Sequence, residues 1–205
     1  MNLREVFEER RSINCFDINK GVDDGLLKDI INLAVLAPSA FNLQPWEIIA
    51  VKSKEAKERL YKLSSNQIKI LEAPVTLIIV GNKTGYDQSN PEWDNFLKLL
   101  GGDKEKLSHA QDFAYNLYGT SEKNKLKFAD SNTGLLAMSI MYAAKGLGVD
   151  SRPMSGIDFE SVRKEFGLDE NKSVVMLIAL GYLDKRKKLH PRRYRKGYDE
   201  IVKEV

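Results

Sequence analysis

The sequence predicts an α+β fold, in which a mixed central sheet carries helices on both of its faces. Three observations lead there. Short apolar runs with strand character recur along the chain, and the segments between them are helical and of unequal length, the pattern of a layered α+β protein rather than a bundle or a sandwich. Glycine and proline punctuate these segments at their ends. The 205 residues, 42% hydrophobic and 30% charged, can bury about 70% of the unfolded surface around one core, with no disulfide needed.

Taken in order, Asn2 and Glu5 have capping-box spacing, and Leu3, Val6 and Phe7 follow at helical spacing, so the chain opens with a short helix. Asp23 or Asp24 caps a second helix whose apolar face is Leu27, Ile30, Ile31 and Ala34, with Leu36 as a further candidate, and Pro38 stops it. After a loop from Pro38 to Pro45, Trp46 to Val51 reads as a strand. Ser53 caps a charged helix reaching about Leu63, and a further short helix is expected from Asn66 to Leu71. The run Val75 to Val80 is apolar enough to be a central strand. From Gly81 to Gly119 the chain is rich in glycine and aromatic residues and reads as an excursion, too small for a core of its own.

The longest helix is expected from about Ser121 to Lys145, with Ala129, Thr133, Leu136, Ala137, Ile140, Met141 and Ala144 on one broad face and Gly146 as its stop. Such a face belongs at the centre of the fold or at a subunit interface. A short strand Val149 to Arg152, a helix Asp158 to Phe166 stopped by Gly167, and a strand Ser173 to Leu180 complete the body.

Composition excludes several function classes. The longest apolar run, Val174 to Leu180, is far too short to span a membrane. The opening Met1-Asn2-Leu3-Arg4-Glu5 lacks the apolar stretch of a secretory signal. The single cysteine, Cys15, fits a reducing compartment, and we expect a cytoplasmic protein. His109 and His190 stand far apart with no ligand spacing around them, so no metal site is expected. No G-x-G-x-x-G, Walker, G-x-S-x-G or H-E-x-x-H motif occurs.

The net charge of +3 hides an asymmetry: eight basic residues and no acid lie between Lys185 and Lys196, and the rest of the chain is net acidic. Basic charge confined to one segment is not the face or stripe of a nucleic-acid binder. A solvated tail, running from about 185 to 205, and an anion site completed against the folded body both remain open for it. Two further polar clusters stand out. Arg10-Arg11-Ser12, followed by Asn14, offers two guanidiniums and a hydroxyl to a phosphate, or is simply a basic helix end. Pro38-Ser39-Ala40-Phe41-Asn42-Leu43-Gln44-Pro45-Trp46 is a stiffened loop with polar side chains at Ser39, Asn42 and Gln44, or a capped turn leading into a strand.

With these motifs in place, the sequence resembles the nitroreductase family of FMN-dependent oxidoreductases. The carriers are R-R-S at Arg10 to Ser12, A-P-S-x-x-N-x-Q-P-W at Ala37 to Trp46, and G-L-G-x-x-x-x-P-M-x-G at Gly146 to Gly156, in the family's order. The resemblance implies a mostly antiparallel sheet and a domain-entwined homodimer with FMN at the interface. It also implies electrons taken from NADH or NADPH and passed to nitroaromatics, quinones or similar acceptors in a ping-pong cycle. By motif, Arg10, Arg11 and Ser12 would hold the phosphate and ribityl chain, with Asn14 where many members carry a second basic residue. Pro38, Ser39 and Ala40 would come from the partner subunit, Asn42 of the same motif would also bind the cofactor, and Asn66 and Lys69 would reach the pyrimidine edge. Met154, Ser155 and Gly156 would lie beside flavin N5 and O4, and Arg193 and Arg195 would close on the phosphate. No catalytic side chain is expected, because the flavin carries the chemistry; Lys69 serves as an electrostatic stabiliser. A reductive dehalogenase with the 81–119 excursion as substrate lid, or a flavin-binding protein without turnover, are the alternatives.

Overall fold

The computed structural model describes residues 2–205. Local chemistry starts its helices. Helix α1 (Leu3–Glu9) opens on a reciprocal capping box: the Glu5 amide donates to Asn2 Oδ1 at 3.0 Å and the Asn2 amide to Glu5 Oε2 at 2.9 Å. Helix α2 (Asp24–Ala34) is capped by Asp23. It ends at Ala34, before Leu36 can join its buried face, and Leu36 is left 78% exposed. Strand β1 (Trp46–Val51) follows, then α3 (Lys54–Lys62), capped by Ser53. Helix α4 (Lys69–Glu72) is shorter than the sequence suggests. Ser65 and Asn66 take left-handed backbone, φ 49° and 53°, so Asn66 sits in the turn before the helix and not on it.

Strand β2 (Val75–Asn82) leads to α5 (Glu92–Leu99) and α6 (Lys104–Tyr118). The long helix α7 (Glu122–Gly146), capped by Ser121, comes next. It runs through Gly146; the left-handed residue that stops it is Gly148, φ 80°, two positions beyond the expected stop. Strand β3 (Asp150–Met154), helix α8 (Phe159–Glu165) with left-handed Gly167 after it, and strand β4 (Lys172–Gly181) complete the body. A short helix α9 (Tyr198–Ile201) lies in the exposed tail.

The sheet order is β1-β2-β4-β3 and all three ladders are antiparallel. The parallel pairing among the described residues is an isolated bridge, Ser12 to Ser151. Strand β2 is central and buried, and its alternation divides the core into two layers. Val75, Leu77 and Ile79 face α2 and α7, packing with Leu27, Ile30, Leu136 and Ile140. Ile78 and Val80 face the other side, with Leu60 of α3, Ile70 of α4, Val162 of α8, and Ile13, Phe16 and Met154. All seven α7 residues expected on one face are buried, so that face is the centre of the fold.

The 81–119 segment is fastened to the body by a third cluster. Tyr86, Trp93 and Ala114 pack with Leu43 of the 38–45 loop and Phe128 of α7. No helix of the described residues is long and apolar enough to cross a membrane.

Candidate functional site

The Arg10–Asn14 segment leaves the end of α1 and is pinned beside β3. The Ile13 amide donates to the Ser151 carbonyl at 3.3 Å, and Ile13 and Phe16 are buried at 1% and 2% exposure. The Phe16 amide donates to Glu72 Oε2 at 3.2 Å, tying the segment to α4 as well. The basic tail folds back over it. Arg11 Nη2 donates to the His190 carbonyl at 2.6 Å, and Arg192 Nη2 donates to the carbonyls of Glu8 and, at 3.2 Å, Arg10. A cavity of about 350 Å3 results, lined by Arg10, Arg11, Ser12, Asn14 and Arg152 and, from the tail, by 189–193 and Arg195, with no carboxylate in its lining among the described residues.

Burial, above all, holds the Arg10 guanidinium below the ordinary arginine range; Tyr142 opposes this, and repulsion from Arg192, Arg195 and Arg11 adds to it. Arginine stays charged under such conditions. Arg10 Nη1 and Arg152 Nε are buried and have no hydrogen-bond partner among the described residues. Two orphaned donors in an acid-free cavity are expensive unless an acceptor arrives, about 1–3 kcal/mol each. A phosphate monoester suits them: it is an anion and accepts from planar guanidiniums two bonds at a time. The donor set therefore fits the phosphate end of a mononucleotide-like cofactor.

Strand β3 connects this cavity to a second group. Arg152 lies in the cavity, and two residues on, Met154 is buried at 4% exposure in the core, while Ser155 and Gly156 after it are exposed. Gln67 Nε2 donates to the Gly156 carbonyl at 3.0 Å, and the Asp158 amide donates to the Leu63 carbonyl at 2.9 Å. These bonds join the segment that carries the exposed Asn66 and the half-buried Lys69 to the one that carries Ser155 and Gly156. Of the residues named by motif, Arg10, Arg11, Ser12, Asn14, Arg193 and Arg195 line the cavity, and Asn66, Lys69, Met154, Ser155 and Gly156 lie on the two segments joined by the Gln67–Gly156 bond.

The loop from Pro38 is built separately. Ser39 Oγ accepts from the Gln44 amide at 2.9 Å, and the Ala40 amide donates to Asn132 Oδ1 at 2.8 Å, while Asn132 Nδ2 donates to the Phe128 carbonyl at 2.7 Å. Phe41, Asn42 and Gln44 are held left-handed, at φ 52°, 57° and 47°. The Phe41 ring packs on Trp93, Phe96 and Phe113 at centroid distances of 5.6, 6.3 and 6.4 Å, and Asn90 Nδ2 donates to the Leu43 carbonyl at 2.9 Å. None of Pro38, Ser39, Ala40 and Asn42 lines the arginine cavity. A single chain does not unite the two halves of the motif-named site.

Three functional candidates escape the sequence reading. Arg152 and Gln67 were visible only as a charged residue inside a short strand and a polar residue between two named ones. Asn132 carried no signal, since it stands in the middle of the apolar helix that dominates the reading of α7.

The chain is similar to known proteins over nearly its whole length. The family model described as Nitroreductase family matches residues 7–182. The Bacillus subtilis protein provisionally named NAD(P)H nitroreductase MhqN is 34% identical over 199 residues, covering 96% of each chain. The crystal structure of the B. subtilis protein provisionally titled nitroreductase ydfN superimposes with a TM-score of 0.90 at 32% identity, over 98% of both chains. The structure provisionally titled NAD(P)H:FMN oxidoreductase from Staphylococcus epidermidis does so at 0.88 and 25% identity, over 100% of this chain and 96% of that one. The chain belongs to the nitroreductase family.

Proposed function

We propose that this chain is an FMN-dependent oxidoreductase that takes electrons from NADH or NADPH and passes them to nitroaromatic, quinone or similar acceptors in a ping-pong cycle, in the cytoplasm. The observation that carries the reading is the acid-free arginine cavity with its two orphaned guanidinium nitrogens, opening onto β3. FMN supplies the hydride-accepting and hydride-donating chemistry when bound.

The chain's own residues bind, orient and polarise. Arg10, Arg11 and Ser12 hold the phosphate and ribityl chain, and Asn14 adds a hydrogen bond without charge. Arg193 and Arg195 complete the phosphate shell, while Arg192 latches the tail to the carbonyls of Glu8 and Arg10. Lys69 and Asn66 face the pyrimidine edge, where a fixed cation favours added negative charge. The backbone of Met154 to Gly156, braced by Gln67, offers amide donors to the N5 and O4 side. Pro38, Ser39, Ala40 and Asn42 reach the flavin from the second subunit of a homodimer, which is why one chain holds them away from its own cavity. The 81–119 segment, packed on Phe41, acts as a substrate lid above that loop.

Anaerobic turnover of nitroaromatics, quinones and halogenated phenols with each nicotinamide tests the reading. Reduction of the first two classes supports it. Turnover of halogenated phenols alone would assign a reductive dehalogenase instead. FMN binding without turnover of any would leave a flavin-binding protein.

A further inference from the structure

We propose that Arg152 is a phosphate ligand and the fixed anchor of the anion site; this rests on the FMN reading above. The backbone places it. Strand β3 pairs with β4, Arg152 opposite Ala179, and Ser151 bridges Ser12, so Arg152 stands one residue from the contact between the sheet and the Arg10–Ser12 segment. Its side chain lines the arginine cavity, and its Nε is buried without a partner.

The other guanidiniums differ. Arg11 Nη2 is spent on the His190 carbonyl and Arg192 Nη2 on the Arg10 carbonyl, which latches the tail to the end of α1. Arg195 Nη1 donates to the carbonyls of Arg193 and Tyr194 at 3.1 Å, within the exposed tail itself. What remains are Arg10 Nη1 and Arg152 Nε, two buried donors of the same cavity lining, one beside α1 and one on a sheet strand. A cation fixed on a hydrogen-bonded strand loses little freedom when a ligand arrives, whereas a tail arginine must be ordered. No partner among the described residues satisfies the buried Nε, and no acid lines the cavity around it. The chemistry it selects is a phosphate monoester on a flavin rather than an uncharged ribityl end.

The test is a fluorescence-quench titration of FMN and of riboflavin against the wild-type dimer, Arg152→Ala, Arg152→Gln and Arg152→Lys, with thermal melts of each protein without flavin. The proposal expects Arg152→Ala and Arg152→Gln to weaken FMN tenfold or more, about 1.4 kcal/mol. Riboflavin affinity should stay within about twofold. Arg152→Lys should recover part of the loss, since a point charge replaces a planar fork. Melting without flavin should be unchanged or raised, because an orphaned buried cation has been removed. Equal weakening of FMN and riboflavin, or a lowered flavin-free melting point in both uncharged variants, would make Arg152 a structural residue and overturn the proposal. So would unchanged FMN affinity in Arg152→Ala and Arg152→Gln when the wild type binds FMN. A wild type that binds neither flavin would overturn the FMN reading, and this proposal with it.

Discussion

Replacing Asn132 by leucine isolates the clamp that shapes the Pro38–Asn42 loop. Asn132 is 7% exposed, accepts from the Ala40 amide at 2.8 Å and donates to the Phe128 carbonyl at 2.7 Å. Leucine keeps the volume and removes both bonds. The Phe128 carbonyl lies inside α7 and remains in the helical ladder. The Ala40 amide has no such substitute and is left an unsatisfied, half-buried donor, at about 1–3 kcal/mol. The loss does not stop there, because three left-handed residues, Phe41, Asn42 and Gln44, persist only while their surroundings over-determine them. For a chain of this size each kcal/mol moves the melting temperature by about 2–4 °C, so Asn132→Leu should melt roughly 2–12 °C below wild type. Hydrogen exchange should locate the damage: the Ala40 amide loses its protection while the interior of β2 keeps its own. A melting temperature within about 1 °C of wild type, with Ala40 still protected, would refute the reasoning.

Other predictions follow from the same structure. The protein should sediment as a dimer, and a monomer that keeps FMN at micromolar concentration would contradict a loop shared between subunits. Truncation after Lys185 should weaken FMN binding, as should added salt in the intact chain, since charge-assisted phosphate contacts are screened; an unchanged affinity would return the tail to a solvated segment. Lys69→Ala should lower the midpoint potential of bound FMN by ~30–65 mV, from roughly 1.5–3 kcal/mol per charged hydrogen bond and about 30 mV per 1.4 kcal/mol. Asn14→Arg should raise it, and spectroelectrochemistry showing Lys69→Ala within about 10 mV of wild type rejects the role. Burial pushes the Asp130 carboxyl upward against a hydrogen bond from Ser173, so the folded state holds its proton more tightly than the unfolded chain and loses stability as pH rises. Asp130→Asn should therefore melt higher than wild type at pH 7, and the advantage should vanish below about pH 4.

What the sequence made legible was whatever is written locally. Asn2, Asp23, Ser53, Ser121 and Asp158 announce their helices because a cap is settled within three residues. The α7 face was readable because helical spacing and burial coincide. The Arg10–Ser12 and Ala37–Trp46 motifs were readable because their residue types are unusual together. The start of α4 was not, because left-handed Ser65 and Asn66 depend on the loop around them. Arg152, Gln67 and Asn132 act through partners 89 or more positions away or across a cavity, as in Gln67 to Gly156 and Asn132 to Ala40. Such contacts leave no periodic mark in a chain. The tail gave its charge but not its division of labour: only the folded arrangement separates Arg192, bonded to the carbonyls of Glu8 and Arg10 at the end of α1, from Arg195, bonded to carbonyls within the tail itself.

The measurement that bears most directly on the account is the visible spectrum of the purified protein, taken without oxygen before and after NADH or NADPH is added. The account predicts a yellow protein carrying FMN whose flavin band bleaches on addition of at least one nicotinamide and returns when a quinone is supplied. A colourless protein that added FMN cannot reconstitute would contradict it.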